Sequence, residues 1–242
     1  MNPPPVKTDP HAAEIERIRA EYLRRAVEIP PDFYGWSQEV NQFFHTQTYR
    51  ACLEALVRES WFPLQGCRIA DIGCGDGTWL LEFAQWGADP VDLFGIDLDE
   101  TRITAARRRL PASELVACDA HCLPWPSGSF DLVSQFTLLT SVLATPVKQA
   151  VAGEMLRVLK PGGIILWYDF QFNNPRNPNV RGIKATEIRS LFPGCDVKLT
   201  RVTLAPPIAR LVVPTSWILA LLLEKLPFLR THYLGIVQKS AS

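Results

Sequence analysis

The sequence predicts an α/β protein built on a mostly parallel sheet with helices on both faces, preceded by a helical cap. Two observations carry this prediction. After Pro63, short apolar runs alternate with helical segments, and strand–helix–strand alternation makes parallel pairs. A glycine-rich turn, 73–77, stands between the first run and the first helical segment, where sheets of this kind hold ligands. The composition agrees: 47% of the residues are hydrophobic and 21% charged, enough apolar surface for a core.

The elements follow in order. Residues 1–10 are Pro-rich without an apolar signal core and read as a disordered leader. Residues 11–62 read as the helical cap. Its first helix, 11–28, carries Ile15, Ile18, Tyr22 and Val27 at helical spacing. Pro30-Pro31 stops it. A second helix, 37–59, presents Val40, Phe43, Phe44, Leu53, Leu56 and Val57. The aromatic connection 32–36 joins the two. The main domain, 63–242, has strand-like runs at 68–72, 93–97, 115–118, 130–136 and 164–169, with helices at 78–86, 100–110 and 147–159. Thr145-Pro146 is a helix start, an N-cap followed by Pro at the first helical position. Pro161-Gly162-Gly163 is a turn. A short helix at 185–191 and strands at 197–204 and 232–238 complete the sheet. Between those last strands, 205–230 is an insertion holding the apolar helix 217–226, a candidate lid.

Charge and cysteines narrow the function classes. Basic and acidic residues number 25 each, which argues against a nucleic-acid partner held by counterion release. The longest apolar run, 217–223, falls short of the ~20 residues that span a bilayer. Its helix can be a lid wall, a homodimer contact or a dip into a membrane surface. With Lys225 its only cation, the membrane reading is the weakest of the three. Six cysteines form no C-x-x-C pair. Cys118 and Cys122 flank His121, but no second pair stands at zinc spacing. Free thiols in a reducing cytoplasm, and no metal, are the expectation.

The chemistry is concentrated around Asp71-Ile72-Gly73-Cys74-Gly75-Asp76-Gly77. The glycines allow a sharp turn and close ligand approach, and the helix behind offers free N–H groups. The dinucleotide fingerprint fails, since positions 78 and 80 are Thr and Leu, and no Gly-Lys-Ser/Thr follows for a phosphate loop. Asp71 suits a ligand carrying an ammonium group. Asp97 ends the second strand, where an acid accepts ribose hydroxyls. Asp119 ends the third.

Taken with Gly128-Ser129-Phe130-Asp131-Leu132-Val133 and Leu156-Arg157-Val158-Leu159-Lys160-Pro161-Gly162-Gly163, these motifs resemble the class I S-adenosylmethionine-dependent methyltransferases. The closest style is the small-molecule branch that includes the ubiquinone/menaquinone methyltransferases. The resemblance spans 66–169. It implies a Rossmann-like seven-stranded sheet with the last strand antiparallel, S-adenosylmethionine as cofactor and S-adenosylhomocysteine as product. It implies that Asp71 and the backbone of Gly73, Cys74, Gly75 and Gly77 face the methionine part. Asp97 takes the ribose, Leu98 packs on the adenine, Asp119 and the Ala120 N–H read its edge, and Gln135 sits near the methyl group.

The expected reaction is in-line methyl transfer to a small molecule or saccharide, at oxygen. Asp169, His45 and His121 are the candidate bases. Tyr34 and Trp36 are candidate lid residues that a sulfonium would attract, while packing accounts for Phe43 and Phe44. Asn173, Asn174 and Arg176, in the polar loop after the fifth strand, suit sugar hydroxyls or an anion. Strand four ends in Gln135-Phe136-Thr137 without an acid, so a metal-assisted mechanism is not expected. C-methylation of a quinone- or polyketide-like ring is the alternative. A non-catalytic cofactor-binding module is the alternative of another class.

Overall fold

The computed structural model describes residues 9–30, 33, 35–175 and 177–241. Seven strands form one sheet: β1 (Ile69–Ile72), β2 (Leu93–Asp97), β3 (Glu114–Ala117), β4 (Phe130–Phe136), β5 (Leu159–Phe170), β6 (Asp196–Leu204) and β7 (Arg230–Gln238). Their spatial order is β3-β2-β1-β4-β5-β7-β6. All pairs from β3 through β5 are parallel, and β7 runs antiparallel to both β5 and β6. This is the predicted topology, including the antiparallel last strand. The chain leaves β1 toward β2 on one side and later returns to β4 on the other. The carboxyl ends of β1 and β4 therefore form the crevice where ligands bind in such sheets.

Eight helices cover the sheet among the described residues: α1 (Pro10–Glu28), α2 (Glu39–Arg58), α3 (Thr78–Gln85), α4 (Glu100–Arg109), α5 (Thr145–Val158), α6 (Ala185–Leu191), α7 (Pro206–Val212) and α8 (Trp217–Glu224). Two apolar layers result. On one face Ile18 of α1, Val147, Val151 and Met155 of α5 and Ile188 of α6 pack on Ala70, Ile72, Val133, Ile165 and Trp167. On the other, Cys52, Ala55 and Leu56 of α2, Leu80 and Phe83 of α3 and Ile103 and Ala106 of α4 pack on Ile69, Leu132, Ile164 and Leu166. The strand residues alternate between the layers as a pleat requires.

The residues expected as a helical cap, 11–62, hold α1 and α2. The two helices lie on opposite faces of the sheet, and α2 is an integral layer of the core. The leader expected at 1–10 lies almost wholly outside the described residues, and α1 already begins at Pro10, capped by the Asp9 carboxylate accepting from the His11 N–H. The insertion is two short helices, with α8 ending at Glu224 rather than 226. Phe43 of α2 is fully buried against it with Leu204, Ala209, Val213 and Ala220, so its role is packing, as expected.

The loop after β5 is stitched down, although its composition reads as solvated. The Gly182 N–H donates to the Asn173 side chain at 3.0 Å, and the Arg181 N–H donates to the Thr140 carbonyl at 2.8 Å. A Cβ on Gly182 would lie 2.6 Å from the backbone of Gln171 and Phe172. Backbone cannot yield as a side-chain tip can. Gly182→Ala should therefore lower stability by at least the ~1–3 kcal/mol typical of overpacking, read as a lower denaturation midpoint with unchanged slope.

Candidate active site

The turn after β1 is shaped by three glycines in the left-handed region: Gly73 (φ 78), Gly75 (φ 56) and Gly77 (φ 80). Side-chain-bearing residues pay for that conformation in steric strain. Gly73 also faces Leu138, whose Cδ1 would stand 3.0 Å from an added Cβ. The turn is fixed by Asp97 at the end of β2. Its Oδ2 accepts from the Gly75 N–H at 2.9 Å and its Oδ1 from the Asp99 N–H at 3.0 Å. One carboxylate thus ties the first two βα turns together, and its remaining lone pairs face a cavity.

That cavity is lined by Gly73, Asp97, Leu98, Asp119 and Ala120, five of the predicted cofactor residues, together with Cys118, Leu138, Ser141 and Val142. Its roof is α1, through Ile15, Ile18 and Tyr22. The free volume is only about 40 Å³, against roughly 300 Å³ or more for a drug-sized ligand. A nucleoside would fit there only with α1 further out. The larger cavity, about 450 Å³, lies elsewhere, between α2, α8, β6 and β7. It is three strands away from β1 in the sheet order.

Asp71 is 2% exposed and accepts from the Ser134 hydroxyl at 2.7 Å. Burial pushes its carboxyl up to about 7; the Ser134 bond opposes this and the nearby Asp97 charge adds to it. An ammonium-bearing ligand that pairs with Asp71 needs the carboxylate. Calorimetric affinity for S-adenosylhomocysteine should therefore rise by up to about tenfold per pH unit approaching pH 7, then level off. A flat profile from pH 5.5 to 8 would remove Asp71 from the binding step. The stability effect has the opposite sign. A carboxyl raised from 3.8 to about 7 by folding stabilises least when ionised, so its contribution falls as pH climbs through that window.

α1 is held by a stripe of polar residues that periodicity of apolar residues alone did not flag. Glu14 is 7% exposed and accepts from the Leu143 and Ala144 N–H groups at the start of α5. Arg17 donates to the Ser141 and Asn179 carbonyls. The Asn179 amide donates to Glu21, and the Arg102 guanidinium lies over the Tyr22 ring at 4.9 Å. Positions 11, 14, 15, 18, 21 and 22 form one i, i+3, i+4 stripe. That spacing was the available signal.

Other predicted residues are placed differently. Asp169 is 1% exposed, with Oδ1 accepting from the Thr140 hydroxyl and the Phe170 N–H, and Oδ2 from the Thr140 N–H. Burial raises its carboxyl to about 7. It braces the turn after β4. Gln135 is fully buried, its amide donating to the Tyr168 carbonyl and accepting from the Leu138 N–H, so it shapes the loop beside the glycine turn and does not line the cavity. His121 faces Asp119, not an acceptor space. Asn173 holds Gly182, and Asn174 is exposed in the same loop, its carbonyl accepting from the Asn177 N–H. Cys74 is buried behind the turn, beside Gly95. Tyr34 and Arg176 lie outside the described residues.

A feature the sequence did not reveal borders the glycine turn. Beyond Leu138, Phe136 at the end of β4 stacks on Trp79 of α3, centroids 3.9 Å apart and planes 5° apart. His45 lies 5.8 Å from Trp79, and Trp36 meets His45 edge-on at 4.6 Å. Tyr168 joins Phe136 at 5.9 Å and stacks on His232 at 5.0 Å. Thr137, which follows Phe136, has φ 57 and is exposed. Burial holds His45 and His232 below the usual imidazole range, His232 at about 4.

Comparison with known proteins fits this arrangement. Residues 69–163 match a family model described as a methyltransferase domain. The demethylmenaquinone methyltransferase of Renibacterium salmoninarum is 36% identical over 158 residues, 63% of this chain and 62% of that one. The same enzyme of Beutenbergia cavernae is 37% identical over 123 residues, 50% of this chain and 46% of that one. The matches thus span about half to three-fifths of these relatives' length. A solved Burkholderia thailandensis 1,6-didemethyltoxoflavin-N1-methyltransferase, with its substrate and S-adenosylhomocysteine bound, superposes with TM-score 0.62 at 16% identity, covering 99% of this chain and 93% of that one. Fold, and motif order over 69–163, are similar to those of the class I S-adenosylmethionine-dependent methyltransferases.

Proposed function

We propose that the chain methylates a planar, apolar, ring-bearing small molecule, and does so at a ring carbon. The observation that carries this reading is the Trp79–Phe136 stack, extended by His45, Tyr168 and His232, at the sheet edge beside the glycine turn. A flat aromatic wall selects a flat partner. The two relatives named for a quinone precursor support the same class of acceptor.

S-adenosylmethionine supplies a methyl group on a sulfonium, already a good leaving group. The protein's share is then positioning and water exclusion. Asp71, Asp97, Leu98, Asp119 and Ala120 hold the cofactor, and α1 closes over it. The aromatic wall aligns the acceptor ring. Carbon methylation releases a ring proton, and His45, which borders the wall, is the base within reach. Its Nε2 lies 3.2 Å from Glu82, whose carboxylate can stabilise the imidazolium.

The O-methylation expected from the sequence loses part of its support here. It rested on the polar loop after β5 and on the possible bases Asp169, His45 and His121; of these, Asp169 and the Asn173 side chain are engaged internally. Incubation with methyl-labelled S-adenosylmethionine and naphthols or quinols bearing an open ring position tests the proposal. Mass spectrometry should locate the label on ring carbon. Label on oxygen alone, or transfer only to saccharides, contradicts it.

A further inference from the structure

We propose that His11, Asp119 and His121 form a binding site for one divalent transition-metal ion, best suited to zinc, which staples α1 to the loop after β3. The His11 Nε2 lies 2.9 Å and the His121 Nδ1 3.2 Å from the same Asp119 oxygen, Oδ2. All three ligand atoms lie within 4.8 Å of one another. The two imidazole rings approach to 3.6 Å between centroids.

The two contacts are close enough for imidazole–carboxylate pairs but are not aligned as hydrogen bonds. Both ring nitrogens are buried, and neither makes a hydrogen bond of acceptable geometry among the described residues. Buried polar atoms normally have partners. Two imidazoles turned toward one carboxylate oxygen place three lone-pair donors around a common point. Zinc bound at ~2.0–2.2 Å by nitrogen and oxygen donors sets tetrahedral ligand atoms roughly 3.3 Å apart, close to the two separations observed. Two imidazoles and one carboxylate also form a borderline-soft donor set that favours zinc, copper or nickel over magnesium or calcium. The carboxylate is held for the task, since Asp119 Oδ1 accepts from the His121 N–H at 3.0 Å; such outer contacts orient a ligand. The His121 side chain is 39% exposed, leaving room for a water as fourth ligand.

The sequence concealed this site because its ligands are far apart. His121 and the flanking Cys118 and Cys122 were visible as an incomplete cluster, while His11 arrives only when α1 folds over the cavity. Zinc binding can be measured without methyl transfer, but the site shares Asp119 with the cavity, so bound zinc would hold α1 closed over it.

The test uses the full chain, dialysed against zinc chloride and then chelator-free buffer. One zinc per chain is expected by elemental analysis, with a rise in thermal midpoint on adding zinc. Cobalt(II) should give the intense d–d absorption of four-coordinate geometry. His11→Gln and His121→Gln should each weaken zinc affinity by at least about 100-fold, beyond the usual cost of losing an outer-shell partner, and cancel the thermal shift. His45→Gln should leave both unchanged. Circular dichroism checks that each variant remains folded. No stoichiometric zinc in the parent chain overturns the proposal. So does zinc binding that survives both histidine variants and is lost on blocking the thiols, which would place the ion at Cys118 and Cys122 instead.

Discussion

Replacing Asp97 with alanine is expected to weaken S-adenosylhomocysteine binding by well over tenfold. Asp97 is 3% exposed and already accepts the Gly75 and Asp99 N–H groups. A carboxylate offers about four lone-pair positions, so two remain for a ribose diol. Charge-assisted hydrogen bonds contribute about 1.5–3 kcal/mol each. Losing both ligand contacts would cost roughly 3 kcal/mol or more, about a hundredfold in affinity. The variant also frees the glycine turn, whose positive-φ residues then lack their anchor. Asp97→Asn separates the two effects. It keeps the volume but must turn an amide donor toward one of its N–H or hydroxyl partners, so it should also bind weakly. Unchanged calorimetric affinity in both variants would sink the cofactor assignment.

The second large effect is expected at the aromatic wall. Phe136→Leu retains much of the apolar volume but removes the stacking plane that faces Trp79 at 3.9 Å. Aromatic pairs contribute about 0.5–1.5 kcal/mol beyond burial. Misplacing the acceptor by an ångström costs far more in rate, on the order of a hundredfold. Turnover of an aromatic acceptor should fall at least tenfold while cofactor affinity stays within about twofold. If turnover is kept, the acceptor lies elsewhere. If cofactor affinity falls equally, the wall serves the glycine turn and not the acceptor.

Much of the fold was legible because local chemistry and tertiary structure agree. The strands from β1 to β5 announce themselves as short apolar runs ending in turn residues. Gly73, Gly75 and Gly77 predict their own positive φ, and Asp97 and Asp119 fall at strand ends, where they line the cavity as expected. The surroundings the sequence hid share a cause: each depends on a partner distant in sequence. Asp169 sits at the correct edge of the sheet, but its oxygens are claimed by Thr140, a residue from another connection. Gln135 likewise serves the Leu138 backbone and the neighbouring strand. The two N-terminal helices look alike as a cap, yet their apolar residues are sorted to opposite faces of the sheet. The wall of Trp79, Phe136, Tyr168 and His232 joins four separate elements, so no spacing could reveal it.

The central claim is that the cofactor binds between the glycine turn and α1, although a cavity some ten times larger opens between α2 and α8. Amide hydrogen exchange with and without S-adenosylhomocysteine compares the two directly. The account predicts protection at 71–78, 97–99 and 118–120, with a change in exchange across α1 as it reseats over the ligand. Protection confined to α2, α8 and β6–β7, with none at the glycine turn, would contradict it.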